Sequence, residues 1–402
     1  ADTTDGLKIV SDTSGAVDIQ SNGTTKVTID ANGNVNTVGQ VSTTDNGTIV
    51  TRQNAKPLII NGDMQVAQRG TSLTGQTGTA FQMDRFGFQM GGFGTWTMTQ
   101  ADDGPTGSGF THALKWDCTT ADTSLGAGDF GLAVYKFEGQ NVQLLKKGTS
   151  SAEKVTLSFY VKSAKTGTYI AELFDTDNSR RISKAYTIDS ANTWEQKVIN
   201  FDADTTGVLT NDNNLSLAIH WWLGAGSTYS GGTLSTTWTS VTNANRAVGQ
   251  VNLADNTSND WLITGVQLEV GEFTSSTIPA FQHESFGDNL ARCQRYFYRK
   301  ASGADKNVCL AANYSTTIIT SSFTFPVEMR AAPTLVQTTG TNYYIFYRTG
   351  GNDQFDGFTH TFAADSSGVA LDVQSGASGT MGDGGRIATR EAAAFIGFEA
   401  EL

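Results

Sequence analysis

Residues 215–224 have the sequence LSLAIHWWLG, in which apolar side chains occupy every second position. Successive side chains of a strand point to opposite faces of a sheet, so this pattern predicts a strand with one wholly apolar face. The apolar face, which we expect to lie in a core, consists of Leu215, Leu217, Ile219, Trp221 and Leu223. The opposite face consists of Ser216, Ala218, His220 and Trp222.

Similar short strands, separated by turn clusters, recur through residues 57–283. They include KVTLSFYVKS (154–163), TYIAELFD (168–175), EQKVINFD (195–202) and DWLITGVQLEVG (260–271). Many short strands at this spacing predict a β-sandwich of jelly-roll type. Trp116, Trp194 and Trp261 lie in strand-like runs, and we expect them in its core.

Residues 1–56 form a separate block of short alternating runs with Asn22-Gly23 and Asn32-Gly33 between them. Asn-Gly at such positions predicts β-hairpins with type I′ turns, which need positive φ at both central residues. One face of these hairpins would carry Val17, Ile19, Val27, Ile29 and Val35. Because this meander has too little apolar area to be stable alone, we predict an arm that trimerises or anchors on a larger particle through that face. The alternative is a hairpin packed on the main domain of its own chain.

A linker helix is predicted within residues 284–301, over about 286–300. Ser285 can cap its N-terminus together with Asp288 three residues later. The residues that follow, 302–402, alternate again in TIITSSFTFP (317–326) and TNYYIFYR (341–348), which predicts a distal β-sandwich domain. The chain as a whole is therefore predicted to be all-β.

The charge of the chain disfavours two classes of partner. Charged residues make up 16% and the net charge is −12, so binding to nucleic acid or anionic lipid is disfavoured.

No run approaches the roughly 18 apolar residues of a membrane helix, and the first ten residues predict no secretory signal. The three cysteines are far apart in sequence, which does not predict a disulfide framework or a zinc site. We expect them to be reduced thiols in a protein synthesised in a reducing cytoplasm.

No catalytic or nucleotide-binding motif occurs, and the four histidines lack metal-ligand spacing. We therefore predict no enzyme activity, no metal and no cofactor. A carboxylate pair for glycoside hydrolysis stays open, because it needs only proximity in space. Its candidates are Asp84, Glu172, Glu195, Glu269 and Glu272.

The aromatic residues suggest a sugar-binding site. If the face of the 215–224 strand that holds His220 and Trp222 is open, it would lie beside a polar segment that contains Tyr229 and Trp238. Aromatic rings offer apolar surface to sugar C–H groups, while amides and hydroxyls bond to sugar hydroxyls. These four residues are the predicted glycan-binding site. The alternative is that the tryptophans are buried between sheets or in a trimer interface.

Several segments resemble a family of bacteriophage tail-fibre and related virion proteins, common among marine and cyanobacterial phages. They are PLIINGDMQVAQRG (57–70) with FQMDRFGF (81–88), the residues 243–271 running into IPAFQHESFGDNLARCQRYFYRK (278–300), and FTFPVEMRAAPTLV (323–336). The resemblance implies a jelly roll similar to carbohydrate-binding modules and a homotrimer. It also makes the Asp84-Arg85 step and the Leu290–Tyr298 helix structural landmarks.

This resemblance implies a virion protein, synthesised in the host cytoplasm. The expected function is a tail fibre whose arm docks on a tail adaptor or nozzle and whose β domains bind host surface polysaccharide. One alternative is a capsid-bound head fibre or decoration protein, and another is a polysaccharide depolymerase tailspike.

Overall fold

The computed structural model describes residues 8–11, 17–29, 35–37, 41–43, 47–49, 56–362, 364–374 and 376–402. Over these residues the fold is all-β, as predicted, with two short helices, α1 (Ser227–Ser230) and α2 (Phe286–Gln294). Neither helix has the length and apolarity that crossing a membrane requires. The chain divides into two compact units, residues 1–55 with 276–280 and residues 56–275 with 281–402.

The first unit contains an antiparallel sheet with the strand order β1-β2-β3-β4 and a separate pair of strands, β5 and β6. The strands are β1 (Lys8–Ser11), β2 (Val17–Ser21), β3 (Thr24–Ile29), β4 (Val35–Thr37), β5 (Val41–Thr43) and β6 (Gly47–Ile49). Asn22 and Gly23 connect β2 to β3 with φ of 50° and 71°, the positive values that the predicted turn requires. Asn32-Gly33 lies outside the described residues.

The register of this sheet places the predicted apolar residues of β2 and β3 on one face. Val17 pairs with Ile29 and Ile19 with Val27, and Ile29 pairs in turn with Val35 on β4. Directly paired residues of neighbouring strands share a face, so the predicted alternation is confirmed for β2 and β3.

The central sandwich of the second unit is built from thirteen strands in two antiparallel sheets. They are β7 (Ser72–Gln76), β8 (Ala80–Met83), β9 (Phe86–Gly91), β10 (Thr95–Ala101), β11 (Ala113–Thr120), β12 (Phe130–Glu138), β13 (Val155–Ser163), β14 (Gly167–Asp175), β15 (Arg180–Ile188), β16 (Glu195–Phe201), β17 (Leu215–Ala225), β18 (Thr239–Ser240) and β19 (Asp260–Val270). One sheet has the order β16-β13-β19-β11-β10-β7 and the other β18-β15-β14-β17-β12-β9-β8.

The core lies between these two sheets. Aromatic contacts join them, with ring centroids 5.3 Å apart for Phe88 and Trp116 and 6.0 Å apart for Phe159 and Trp221. The apolar face predicted for residues 215–224 lies in this core from Leu217 to Leu223. Trp116 and Trp261 are buried there, as expected. The expectation for Trp194 was wrong, since it precedes β16, is half-buried and donates its indole N–H to Asp103 at 3.1 Å.

Helix α2 begins as predicted but ends earlier. The Ser285 hydroxyl accepts the backbone N–H of Asp288 at 3.2 Å, the predicted N-cap. The predicted continuation to residue 300 was wrong, because Phe297–Ser302 forms strand β20. The consecutive aromatic residues Tyr296, Phe297 and Tyr298 favour a strand, and pairing with a distant strand of the same chain satisfies the backbone there.

A second pair of sheets follows in residues 297–402, as predicted for a distal β-sandwich. The further strands are β21 (Asn307–Asn313), β22 (Ile319–Thr324), β23 (Thr334–Gln337), β24 (Tyr344–Arg348), β25 (Gly351–Phe355), β26 (His360–Phe362), β27 (Gly368–Val373), β28 (Gly384–Thr389) and β29 (Phe395–Glu399). The orders are β20-β29-β23 and β25-β24-β28-β21-β22-β27-β26. Phe323 of the larger sheet contacts Phe398 of the smaller one at 5.4 Å between ring centroids.

A buried polar network, the junction, joins the sandwich to α2 and β20. The backbone N–H of Asn61 donates to Oδ1 of Asn289 at 3.1 Å, and the Asn61 amide donates to the carbonyl of Asp84 at 3.0 Å. Nε2 of Gln68 donates to Asp84 at 2.6 Å and to the carbonyl of Phe297 at 2.6 Å. Three of the segments that carry the family resemblance therefore meet in one hydrogen-bonded network.

Candidate functional site

The candidate site lies on the outer face of the seven-stranded sheet, where β14, β17 and β12 run side by side. Glu172 of β14 pairs with His220 of β17, and Trp222 pairs with Leu132 of β12. These side chains point away from the core because their strand neighbours, such as Trp221 and Leu173, point into it. The segment that follows β17 returns over this face and contributes Tyr229 and Arg246.

Aromatic rings form the walls of a cavity of about 250 Å³ at this place. The ring of Tyr229 lies 5.4 Å from that of Trp222 and 5.7 Å from that of Phe130. The Arg246 guanidinium lies 5.0 Å from the Trp222 centroid and 5.4 Å from that of Phe174, so it is held between aromatic faces. The complete lining is Gln89, Phe130, Leu132, Lys136, Phe174, Thr176, Leu215, Ala218, His220, Trp222, Tyr229 and Arg246.

A buried carboxylate organises the polar side of the site. Glu172 is fully buried. It accepts hydrogen bonds from Nε and Nη2 of Arg246 at 3.1 and 2.6 Å, and it lies 2.9 Å from Nδ1 of His220. Burial by itself would raise the pKa of Glu172, but the hydrogen bond to His220 and the charge of Arg246 lower it from 4.5 to about 2. The carboxylate is therefore ionised at any pH near neutrality.

His220 is fixed by the same carboxylate. Burial lowers the pKa of His220, although its bond to Glu172 opposes this effect, so the ring is neutral at pH 7. In the tautomer that donates from Nδ1 to Glu172, Nε2 is left as a hydrogen-bond acceptor. The site thus combines an oriented acceptor on His220 with donors on Arg246, Gln89 and Lys136 among aromatic walls.

The structure brings three of the four predicted glycan-binding residues together. His220, Trp222 and Tyr229 all line the cavity. The face that holds His220 and Trp222 is not open, which corrects that expectation: they are 7% and 1% exposed. The cause is the covering segment, whose Tyr229 and Arg246 pack on Trp222.

Trp238 lies elsewhere. Its indole N–H donates to the carbonyl of Asp202 at 2.7 Å, and Nζ of Lys147 lies 4.7 Å from its ring centroid. These contacts hold Trp238 half-buried against the sandwich core and away from the cavity lining.

Arg246 and Glu172 are the residues of the candidate site that the sequence pattern missed. Glu172 is one of the five carboxylates that stayed open, but nothing local marks it as buried or paired. Arg246 belongs to the 243–271 segment that carries part of the family resemblance. Their pairing joins residues 74 positions apart, so local periodicity could not reveal it. In the part of the chain that the structure describes, no group of three metal-ligating His, Cys, Asp or Glu side chains occurs.

No family model matches the chain. No curated protein sequence matches it either. Among solved structures, the enzymatically active domain of tailspike protein 4 of bacteriophage CBA120 has 13% identity and a TM-score of 0.28, and the match covers 53% of this chain and 21% of that one. A putative sugar binding protein from Bacteroides thetaiotaomicron has 13% identity and a TM-score of 0.29, covering 54% of this chain and 100% of the other.

A third similar structure is the family 11 carbohydrate-binding module of a cellulosomal cellulase from Clostridium thermocellum. It has 12% identity and a TM-score of 0.25, and the match covers 50% of this chain and 99% of the module. TM-scores and identities of this size do not bear on function.

Proposed function

We propose that this chain is a non-enzymatic, glycan-binding fibre protein of a phage virion. The observation that carries the glycan-binding part is the aromatic cavity with a buried polar cluster on the outer face of the seven-stranded sheet. A sugar ring has apolar C–H faces and a rim of hydroxyls, and this cavity offers aromatic faces beside an acceptor on His220 and the Arg246 donor.

The size of the cavity limits the ligand. Its volume of about 250 Å³ is below the roughly 300–1,000 Å³ of pockets for drug-sized ligands. A cavity of this size accommodates one sugar ring, such as a terminal or branching residue of a host surface polysaccharide. Weak binding to one ring suffices when several copies act together, because avidity multiplies the effective affinity.

The absence of enzyme activity is also part of the proposal. A glycoside hydrolase needs a carboxyl group that is protonated near its working pH to act as the general acid. Glu172, the carboxylate beside the cavity, is held ionised by Arg246 and His220, with a pKa of about 2. This favours binding over catalysis. Release of soluble saccharide from purified host polysaccharide by the pure protein would instead support the depolymerase tailspike.

The virion role rests on the resemblance of residues 57–88, 243–300 and 323–336 to phage fibre proteins. In this proposal the arm, residues 1–56, docks on a tail adaptor or nozzle, and three chains associate through the apolar face of that arm. A capsid-bound head fibre or decoration protein is the alternative. Gold-labelled antibody on intact particles separates the two: label on the tail supports the fibre, and label confined to the shell contradicts it.

Glycan binding can be tested with a variant in the covering segment. Tyr229 is half-buried and lies outside the sandwich core, so Tyr229→Ala should leave the fold intact and remove one aromatic wall. We expect affinity for the preferred sugar on an array of bacterial surface glycans to fall about tenfold, which corresponds to about 1.4 kcal/mol.

The matched control is Trp194→Ala, which removes a half-buried aromatic side chain outside the cavity. Its glycan binding should equal that of the unmodified chain. Unchanged binding in Tyr229→Ala, or an equal loss in both variants, would exclude this cavity as the sugar site.

A further inference from the structure

A second cavity of about 340 Å³ lies where the sandwich meets α2. Five cationic side chains line it, and of the described residues in its lining none is acidic. These cations are Lys56, Arg85, Lys136, Arg292 and Arg295. Such a concentration is unexpected in a chain with a net charge of −12.

Three of these cations already have carboxylate partners, and the first is Arg85, which pairs with Glu401. Arg292 pairs with Glu284 and also donates to the carbonyl of Pro57 at 2.7 Å. Arg295 makes two hydrogen bonds of 2.7 Å to Glu138. These pairs fix the cavity wall, but each carboxylate offsets only one charge.

Lys136 has no such Asp or Glu partner among the described residues. Its ammonium donates to a main-chain oxygen of Leu402, the last residue of the sequence. Burial lowers the pKa of Lys136, and the charges of Arg85 and Arg330 add to this effect although Glu401 opposes it. An anion bound in the cavity would compensate this charge.

Arg85 is the second cation of this cavity that a bound anion would stabilise. It is 1% exposed, and it is fixed by Glu401, by the carbonyl of Lys136 at 2.5 Å and by the Tyr296 ring at 3.4 Å. Among the described residues, its Nε nevertheless has no hydrogen-bond partner. A buried donor without a partner is costly, and an oxyanion is an acceptor that would satisfy it.

We propose that this cavity binds one oxyanion group, a carboxylate, sulfate or phosphate, held by Lys136, Arg85 and Arg292. The group can come from a free inorganic ion or from an acidic saccharide. This site is distinct from the proposed sugar cavity, although Lys136 lines both. An acidic saccharide that reaches both cavities would therefore place its sugar ring in the proposed sugar cavity and its charged group in this one.

Isothermal titration of the full chain at low ionic strength, with sodium sulfate, sodium glucuronate and glucose as separate probes, tests this proposal. We expect one or both anions to bind and glucose not to compete for them. Tighter binding of glucuronate than of sulfate identifies a saccharide as the source, and the reverse identifies an inorganic ion. Absence of binding by both anions at millimolar concentration would overturn the proposal.

Variants locate the site. Lys136→Met and Arg292→Met should each weaken anion binding at least tenfold, and Lys136→Arg should retain it. The matched control Lys184→Met removes a partly buried lysine that pairs with Asp202 outside the cavity. The affinity of this variant for the anions should equal that of the unmodified chain. Unaltered affinity in a folded Lys136→Met protein would refute the assignment. Tyr229→Ala should leave sulfate binding intact, so failure of the sugar site and failure of this site are separable.

Discussion

Replacing Arg246 by methionine measures how much its charge and its hydrogen bonds to Glu172 contribute to stability at the proposed sugar cavity. Methionine keeps the length of the side chain and packs well against aromatic rings, but it removes the charge and two hydrogen bonds to Glu172. Glu172 then stays fully buried, and its remaining hydrogen-bond partners in the described part of the chain are His220 and Ser183. An ionised carboxylate in that position has lost a large part of the interactions that offset the cost of its desolvation.

The lowered pKa of Glu172, to which His220 and Arg246 both contribute, gives the order of magnitude of the expected loss. The pKa falls from 4.5 to about 2, and at about 1.4 kcal/mol per unit this amounts to about 3 kcal/mol in favour of the ionised folded state. The same order, about 3–5 kcal/mol, is found when one partner of a buried ion pair is removed. We therefore expect Arg246→Met to lower the free energy of unfolding by about 3 kcal/mol at pH 7.

The pH dependence of this loss follows from the sign of the shift. The pKa of Glu172 is lower in the folded than in the unfolded chain, so its contribution to stability is present above about pH 4.5 and disappears as the pH falls towards 2. At pH 3.5, one unit below the unfolded value, about 1.4 kcal/mol of it is gone. The difference between the unmodified chain and Arg246→Met should shrink by that amount.

Urea unfolding followed by tryptophan fluorescence measures this difference. Every tryptophan of the chain lies between residues 96 and 261, so the signal reports on the sandwich. The control is the same substitution in a Glu172→Gln background, where its cost should fall below about 1 kcal/mol because no buried charge remains. A loss that is equal at pH 7 and pH 3.5, or that persists in the Glu172→Gln background, would refute the electrostatic explanation.

Three further predictions test the junction and the arm. Gly62→Ala would place a Cβ 2.2 Å from the carbonyl oxygen of Val266, and we expect thermal unfolding to show a free energy of unfolding lower by about 3 kcal/mol. The control Gly78→Ala, with open space around it, should cost far less. Burial raises the pKa of Asp84 to about 6 despite Arg69 and Gln68, so its contribution to stability should decline as the pH rises from 3.8 through 6; a carboxyl carbon resonance that titrates near 4 would contradict this. Ile19→Lys, on the half-buried face of the arm, should convert the proposed trimer of 42.8 kDa chains to monomers in light scattering, and a monomeric unmodified chain would exclude the trimer.

The fold was predictable from the sequence because its signals are local. Alternation along residues 215–224 and 260–271 specifies strands with one apolar face, and the Asn22-Gly23 turn fixes a hairpin through positive φ at two residues. The end of α2 was not predictable in this way. Its apolar spacing continues to Phe297, but β29, about a hundred residues later, pairs with that stretch and converts it to a strand.

The site was predictable only in part, for a related reason. Strand alternation correctly places His220 and Trp222 on the face opposite the core, and Tyr229 follows in the next polar segment. Whether that face is open depends on the return path of residues 226–250, a segment with no periodicity. Arg246 reaches Glu172 only through that path, so the polar centre of the cavity is a property of the tertiary structure.

The first segments of the family resemblance and the proposed sugar cavity depend on different residues. Asn61, Gln68 and Asp84 carry the resemblance in its first segments, and they are buried in hydrogen bonds that join the sandwich to α2 and β20. None of them lines the sugar cavity. A junction of this kind holds the β domains together whatever ligand the protein binds. The resemblance therefore predicts architecture, and sugar preference should be sought in the covering segment, residues 226–250, where Tyr229 and Arg246 close the cavity over the outer face of the sheet.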